Sequence, residues 1–327
     1  MKSLKFAISA VFVAGAAVAQ DKPELHVYTY DSFVAEWGPG PVIEAAFEEI
    51  CDCDLVLTGA GDGAALLARA QLEGTRSKAD IIMGLDTNLT ARAADTGLFA
   101  AHGIEAALDL PLTWDDPIFL PFDWGYFAFV HNADMTPPSN FRELAQSDVT
   151  IVIQDPRSST PGLGLAYWVK AAYGDQAAGI WASLSDNIVT VTKGWSEAYG
   201  LFLDGEADMV LSYTTSPSYH IIAEGDTTKA AAMFDEGQYM QIEVAGKLAH
   251  TDQPELADQF LSFMLSDGFQ AAIPTTNWMF PAVTPSSGLP EGFAKPLAVE
   301  QSLILSANEA DALRGTVLEE WRSALSQ

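Results

Sequence analysis

The sequence predicts an α/β protein of two lobes, each built on a mixed, mainly parallel sheet flanked by helices. Three observations predict this class. Short strands rich in β-branched and aromatic residues alternate with helices along most of the 327-residue chain. Strands separated by helices of this size favour parallel sheets that are covered on both faces. No low-complexity linker divides the chain, so we expect hinge strands, rather than a single tether, to join the two lobes.

The first half of the chain follows a strand–helix pattern. A strand is predicted over residues 25–30, and Pro41 opens a helix at its first position. A second strand at residues 55–57 leads through a glycine-rich turn into a helix over residues 64–73. Residues 79–84 form a continuous apolar run, which is typical of a buried strand.

A long apolar strand at residues 121–130 begins the second half and is expected to enter a second sheet. The α/β pattern then resumes, with strands at 150–153, 190–192 and 209–211 and helices beginning at Pro161 and Pro254. Residues 241–245 indicate a further crossing between the sheets. The crossings predict two lobes, residues 20–121 with 246–279 and residues 122–245 with 280–327.

The N-terminus predicts export. Lys2 and Lys5 precede a short apolar run, and Ala17-Val18-Ala19 is a cleavage motif, so residues 1–19 are a predicted signal peptide. An uncleaved anchor is the alternative, but the apolar run is shorter than the roughly 20 residues that span a bilayer. The formal net charge of −28 argues against nucleic acid and anionic lipid as partners, because both require clustered basic residues.

The two cysteines, Cys51 and Cys53, are separated by one residue. A local disulfide, free thiols and an intermolecular bond all remain open for an exported protein. A metal site is not expected here, because no nearby histidine or second cysteine pair completes a zinc set.

Residues 59–64, Gly-Ala-Gly-Asp-Gly-Ala, fit a loose dinucleotide-binding pattern between a strand and a helix. We reject that interpretation because Asp62 places negative charge where a pyrophosphate would lie. The turn instead brings Asp62 to the carboxyl end of a strand, where open α/β sheets bind ligands. Capping of the following helix is the alternative role for this aspartate.

Residues 154–164 also follow a strand and begin a helix. Exposed N–H groups and hydroxyls at such a position can hold a polar group of a ligand. Ser159 or Thr160 is expected to cap the helix, with Pro161 at its first position. Capping by one of them leaves the other free for ligand contact.

Five aromatic residues fall near predicted strand ends or loops: Tyr30, Trp195, Tyr213, Tyr219 and Trp278. Aromatic faces attract cations by roughly 0.5–2 kcal/mol each, so these residues with a nearby carboxylate suit a flat cationic heterocycle. No H-E-x-x-H or G-x-S-x-G motif occurs, and no catalytic residues, cofactor or metal are predicted.

Several long motifs resemble the periplasmic thiamine-binding proteins of bacterial ABC importers, which are type II extracellular solute-binding proteins. These motifs are residues 28–33 with 37–41, 154–164, 190–203, 211–220 and 273–275 with 277–279. The resemblance covers the mature chain and thins over its last 40 or so residues. It implies a monomeric, two-lobed periplasmic protein that closes on thiamine, with its mono- and diphosphate as further ligands.

The resemblance also implies partners and a ligand-binding set. The partners are an inner-membrane permease and its cytoplasmic ATPase. The ligand-binding residues would be Tyr30, Asp62, Ser159, Trp195, Tyr213, Tyr219 and Trp278.

Two other functions are weighed against thiamine import. A binding protein for another cation, either a polyamine or ferric iron, would share the fold, and tyrosines could ligate iron. That reading leaves Trp195 and Trp278 without a role. A thiaminase-like enzyme would need a cysteine nucleophile, for which Cys51 and Cys53 are the candidates. Both are predicted at the end of a helix, away from the cleft.

Overall fold

The computed structural model describes residues 22–326, so the predicted signal peptide lies outside the described residues. Within them, no helix is both long and apolar enough to span a bilayer. The strands are β1 (Glu24–Thr29), β2 (Asp54–Gly59), β3 (Ile81–Asp86), β4 (Phe119–Asn132), β5 (Ile151–Gln154), β6 (Ile188–Thr192), β7 (Met209–Tyr213), β8 (Lys229–Ala231), β9 (Gln238–Lys247), β10 (Phe280–Pro281) and β11 (Ser302–Leu303).

The helices lie between these strands and at the C-terminal end. They are α1 (Gly40–Cys51), α2 (Gly63–Glu73), α3 (Thr90–Asp95), α4 (Phe141–Gln146), α5 (Thr160–Tyr173), α6 (Ala177–Leu184), α7 (Trp195–Leu203), α8 (Ser216–Tyr219), α9 (Pro254–Phe263), α10 (Asp267–Gln270) and α11 (Ala307–Leu325). Two single turns of π-helix, His220–Glu224 and Ile273–Asn277, follow α8 and α10.

The main strands form a continuous sheet in the order β2-β1-β3-β9-β4-β7-β5-β6. At one end β2, β1 and β3 are parallel, and at the other end β7, β5 and β6 are parallel. Between them, β9 and β4 run antiparallel to each other and to their outer neighbours. The predicted α/β class, with mixed and mainly parallel sheets, is therefore confirmed.

The long strand β4 changes partner along its length. Its residues 119–126 pair with β9, and its residues 127–131 pair with β7. Because β9 also pairs with β3, two extended strands connect the parallel groups. The predicted division of the lobes at residue 121 falls inside β4, before this change of partner.

Phenylalanines from three helices form much of the core on one face of the first parallel group. Phe47 of α1 lies 5.1 Å from Phe260 and 5.2 Å from Phe263, measured between ring centroids. Phe269 of α10 packs against Phe263 at 6.0 Å. Full burial of such a side chain contributes about 1.5–3 kcal/mol, so this cluster fixes α1, α9 and α10 against the sheet.

The C-terminal helix α11 was not predicted. It begins with a capping box, in which the Ser306 hydroxyl accepts from the Glu309 N–H and the Glu309 carboxylate accepts from the Ser306 N–H. The Tyr167 hydroxyl donates to the Ala310 carbonyl at 2.6 Å, and Lys170 pairs with Glu320 at 2.7 Å. These contacts fix α11 against α5 in the second lobe.

Cys51 and Cys53 are joined by a disulfide at the end of α1. Of the three states left open by the sequence, the structure has the local bond. The intervening Asp52 adopts a left-handed conformation, with φ of 50°, where the chain turns into β2.

Candidate functional site

A cavity of about 430 Å³ lies between the two parallel groups of strands. This volume is within the range of about 300–1,000 Å³ that is typical of small-molecule sites. The structure brings six of the seven predicted site residues to its wall. They are Tyr30, Asp62, Trp195, Tyr213, Tyr219 and Trp278.

Ser159 was predicted with these six, but it does not line the cavity. It precedes α5 and is fully buried, and its hydroxyl donates to the Asp62 carboxylate at 2.6 Å. Its side chain makes no capping hydrogen bond. The expectation of a capping hydroxyl is wrong for Ser159, because its hydroxyl hydrogen-bonds to the Asp62 carboxylate and not to a backbone N–H of the helix. Thr160 and Pro161 line the cavity in its place.

Trp195 begins α7 and forms one aromatic wall of the cavity. The extended backbone of Gly194 leads into this first turn. The indole Nε1 donates to the Ser212 hydroxyl at 2.8 Å, which leaves the ring faces for stacking. One face stacks on Tyr199, with ring centroids 5.1 Å apart and planes inclined by 27°. The indole is therefore fixed in orientation before any ligand arrives.

Trp278 and Tyr219 come from opposite sides of the cleft and meet edge to face. Their ring centroids are 5.3 Å apart, with planes inclined by 73°. Trp278 has a φ of 57°, a left-handed conformation that is uncommon for a bulky residue. It directly follows the π-helical turn, and its N–H donates to the Ile273 carbonyl. This turn directs the indole toward the cavity, consistent with the tendency of π-turns to occur at functional sites.

Tyr30 lies just beyond β1 and is held by polar and steric contacts. Its hydroxyl donates to Glu243 Oε2 at 2.9 Å and accepts from Asn277 Nδ2 at 2.8 Å. Burial, and then the negative charges of Glu243 and Asp123, raise the pKa of Tyr30 well above its ordinary value. The phenol therefore stays protonated and acts as a hydrogen-bond donor.

The floor of the cavity is polar and is built on the crossing strands. Tyr213 donates to Gln241 Oε1 at 2.7 Å, and Gln241 Nε2 donates to Glu243 Oε1 at 3.2 Å. Asn277 Nδ2 donates to Asp123 Oδ2 at 2.6 Å. Each polar side chain thus orients the next, which gives the floor a defined arrangement.

Asp62 connects the two lobes across the cleft. It lies at the start of α2, but its carboxylate makes no capping hydrogen bond, so the capping alternative is wrong. Oδ2 accepts from the Ser159 hydroxyl and from the Trp195 backbone N–H at 3.2 Å. Both donors belong to the starts of second-lobe helices, where exposed N–H groups favour an anion. Burial raises the pKa of Asp62 to about 6, although these hydrogen bonds oppose the shift.

Sequence reasoning missed four residues of the cleft: Trp37, Tyr199, Glu243 and Asn277. Glu243 had a usable signal, because it is a charge within the apolar run predicted to cross between the sheets. Tyr199 lies one helical turn after Trp195, a spacing that places both rings on one face. Trp37 and Asn277 were within the family motifs but carried no separate signal.

One group of side chains in the described residues has the geometry of a metal site: His220, Glu224 and Asp226. His220 Nδ1 is 2.8 Å from the Glu224 carboxylate, and Nε2 is 2.9 Å from the Tyr199 hydroxyl. Both ring nitrogens therefore already have protein partners. The group does not line the cavity.

Comparison with known proteins identifies the family. A family model described as "Bacterial extracellular solute-binding protein" matches residues 35–271. The chain belongs to this family. It is 51% identical over 311 residues to a thiamine-binding periplasmic protein of Escherichia coli strain K12, covering 94% of each chain. It is 46% identical to the protein of that name from Brucella melitensis, covering 99% of this chain and 98% of the relative.

Solved structures agree with this assignment and confirm the predicted fold. A structure titled "Periplasmic thiamin binding protein" superposes with a TM-score of 0.90 at 50% identity, covering 94% of this chain and 97% of that chain. Iron-bound HitA from Pseudomonas aeruginosa superposes with a TM-score of 0.75 at 19% identity, over 92% of this chain and 99% of its own, which shows the fold alone. The resemblance drawn from the motifs is confirmed, and the chain is a solute-binding protein, not an enzyme.

Substitution of Gly84 tests the steric support of Tyr30. Gly84 has a φ of 103°, and a Cβ there would lie 2.3 Å from Tyr30 Cδ1. Gly97 is a matched control, because its φ is 67° but a Cβ would meet nothing within 4 Å. We expect Gly84→Ala to lower the free energy of unfolding by about 1–3 kcal/mol more than Gly97→Ala, measured by urea titration. Equal losses would contradict the proposed contact.

The raised pKa of Asp62 predicts a pH-dependent effect of its removal. The Asp62 carboxyl binds its proton more tightly in the folded protein than in the unfolded chain. The stabilisation of the folded state by this proton is complete below pH about 4 and is lost as the pH rises toward about 6. The solute-binding protein with Asp62→Asn keeps an acceptor oxygen but does not titrate. Its free energy of unfolding relative to wild type should therefore rise between these pH values and then level off. Exposed Asp95→Asn serves as control, and a pH-independent difference at Asp62 would refute the assignment.

Proposed function

We propose that this protein binds thiamine in its cleft and delivers it to the inner-membrane permease of an ABC importer, driven by a cytoplasmic ATPase. The observation that carries this proposal is the charge of the cavity wall. Among the described residues that line it, the charged side chains are Asp62 and Glu243, and no lysine, arginine or histidine is present. Thiamine joins an aminopyrimidine to a thiazolium, a flat cationic ring of the class that such a wall favours.

The aromatic walls support the same ligand. Trp195 and Tyr199 form a stacked pair on one side, and Trp278 with Tyr219 forms an edge-to-face pair at the cleft. Rings fixed in this way bury a flat heterocycle at little cost in side-chain entropy. The polar floor supplies hydrogen-bonding groups for an amino or ring nitrogen. The names of the relatives from Escherichia coli and Brucella melitensis agree with this ligand.

Thiamine monophosphate and diphosphate are included in the proposal as further ligands. Their phosphate needs donors, and the starts of α5 and α7 offer N–H groups at the edge of the cavity. Asp62 occupies the Trp195 N–H and the Ser159 hydroxyl in this structure. A phosphate ester would compete with Asp62 for the Trp195 N–H, since Trp195 lines the cavity, so we expect the esters to respond to pH differently from thiamine.

The cellular setting follows from the proposed export. We propose that the signal peptide is cleaved after Ala19, that the mature protein acts as a monomer in the periplasm, and that it needs no cofactor. The periplasmic relatives support this location. The strongly acidic chain argues against nucleic acid as a partner.

The two alternatives are less well supported. For ferric iron, Tyr213 and Tyr219 already donate to Gln241 and Glu224, and two tryptophans would lack a role. A polyamine would use carboxylates but would leave the aromatic faces without a flat partner. For a thiaminase-like enzyme, Cys51 and Cys53 form a disulfide and do not line the cleft, so neither supplies a thiolate.

A ligand panel tests the proposal directly. We expect calorimetry of the exported protein to give saturable binding of thiamine, and no comparable binding of spermidine or ferric citrate. The two phosphate esters are included in the same panel, so that their affinities can be ranked against that of thiamine. Tight binding of iron or spermidine with none of thiamine would overturn the proposed ligand.

The aromatic walls predict a second outcome. Trp195→Ala or Trp278→Ala should weaken thiamine binding at least about tenfold, because each removes a cation–π face and apolar contact worth about 1.4 kcal/mol or more. Trp114→Ala is the control, since its indole donates to the Phe119 carbonyl and does not line the cavity. Unchanged calorimetric affinity in both cleft variants would contradict the assigned site.

A further inference from the structure

We propose that Glu243 recognises the positive charge of the ligand, and that it gives up a proton shared with Asp123 when the cation binds. This inference rests on the proposed function and deepens it, because it names the property that the cleft selects. That property is a permanent single positive charge on a flat heterocycle. A neutral molecule of the same shape would not displace the proton.

The register of the crossing strands brings the two carboxyls together. Asp123 on β4 and Glu243 on β9 are directly paired residues of the antiparallel ladder, next to a bulge that begins at Pro121. Side chains of such a pair project from the same face, with Cβ atoms about 4.5–5.5 Å apart. Glu243 lines the cavity, and Asp123 is fully buried. The pair therefore has one member facing the ligand and one behind it.

The partners of this pair leave its charge uncompensated. Glu243 accepts from the Tyr30 hydroxyl and the Gln241 amide, and Asp123 accepts from the Asn277 amide. All three donors are neutral. In the described part of the chain, no lysine, arginine or histidine forms an ion pair with either carboxyl.

The other titratable groups facing Glu243 are also acidic or phenolic. Asp86 of β3 is its ladder partner on the other side, and Tyr30 and Tyr213 approach from β1 and β7. Burial, and then repulsion from Asp123, raise the pKa of Glu243 well above its ordinary value. Burial raises the pKa of Asp123 to about 7. The two carboxyls therefore retain one proton between them near neutral pH.

A cation in the cavity changes this balance. Its charge lies in a poorly solvated site beside Glu243, where it stabilises the fully ionised pair and lowers the affinity of the pair for its proton. Binding then exchanges one cation for one proton, which leaves to solvent. By linkage, affinity for the cation must weaken as the pH falls and more of the pair becomes protonated.

Proton release provides the test. Calorimetric titration with thiamine, at pH 7 in buffers of different ionisation enthalpy, should show release of about 0.5–1 proton per thiamine bound. Affinity should fall as the pH is lowered, approaching tenfold per pH unit where release is complete. The uncharged hydroxyethyl-methylthiazole half of thiamine and its N-methylated cation extend the test, since only the cation should release a proton.

Variants test whether the released proton comes from the Asp123–Glu243 pair. Glu243→Gln should abolish the release and weaken thiamine binding about tenfold or more, and Asp123→Asn should remove most of the release. Exposed Glu291→Gln is the matched control. Circular dichroism verifies the fold of each variant. Proton release by the wild-type protein is measured without any substitution, so that result does not depend on the folding of a variant.

The outcomes separate this inference from the function on which it rests. Thiamine binding without proton release in the wild type would overturn the inference alone. So would release that persists in Glu243→Gln but disappears in Asp62→Asn. Absence of thiamine binding at every pH would overturn the proposed function and the inference with it.

Discussion

The pairing of the two crossing strands, β4 and β9, is the constraint on which the rest of the structure depends. Their antiparallel ladder, which contains one bulge at Pro121, joins the two parallel groups of strands in one continuous sheet. The same ladder fixes the floor of the cavity, because Asp123 and Glu243 occupy facing positions on it. The register of the β4–β9 ladder thus sets both the connection between the lobes and the electrostatics of the site.

Hydrogen bonds across the cleft also connect the two lobes. Asp62 lies at the start of a first-lobe helix and accepts from Ser159 and Trp195, which begin helices of the second lobe. The Ala65 N–H also donates to the Ser158 carbonyl. Hydrogen bonds to a carboxylate are stronger than those between neutral groups, so Asp62 helps to hold the helices on either side of the cleft together. Its raised pKa indicates that burial makes this anion costly to keep.

The charge of the whole protein and the charge of its cavity act at different ranges. A net charge of −28 favours the approach of cations, but salt screens that field over about 8 Å at physiological ionic strength. Selection by charge therefore acts at short range, within the cleft, where Glu243 is buried. The indoles and phenols, whose orientations are fixed, add selection for ligand shape. Hydrogen bonds from Tyr30 and Gln241 keep Glu243 in one position.

The sequence by itself determined the α/β class, the crossing strands, the family and six cleft residues, because hydrophobic periodicity and long motifs are local signals. It did not determine the role of Ser159, because the carboxylate that accepts its hydroxyl hydrogen bond, Asp62, is distant in the chain. The capping box of α11 is a local sequence signal, but the helix was not predicted from it. Only the tertiary structure decided that Asp123 and Glu243 meet, since ladder register depends on packing and 119 residues separate the two in the chain.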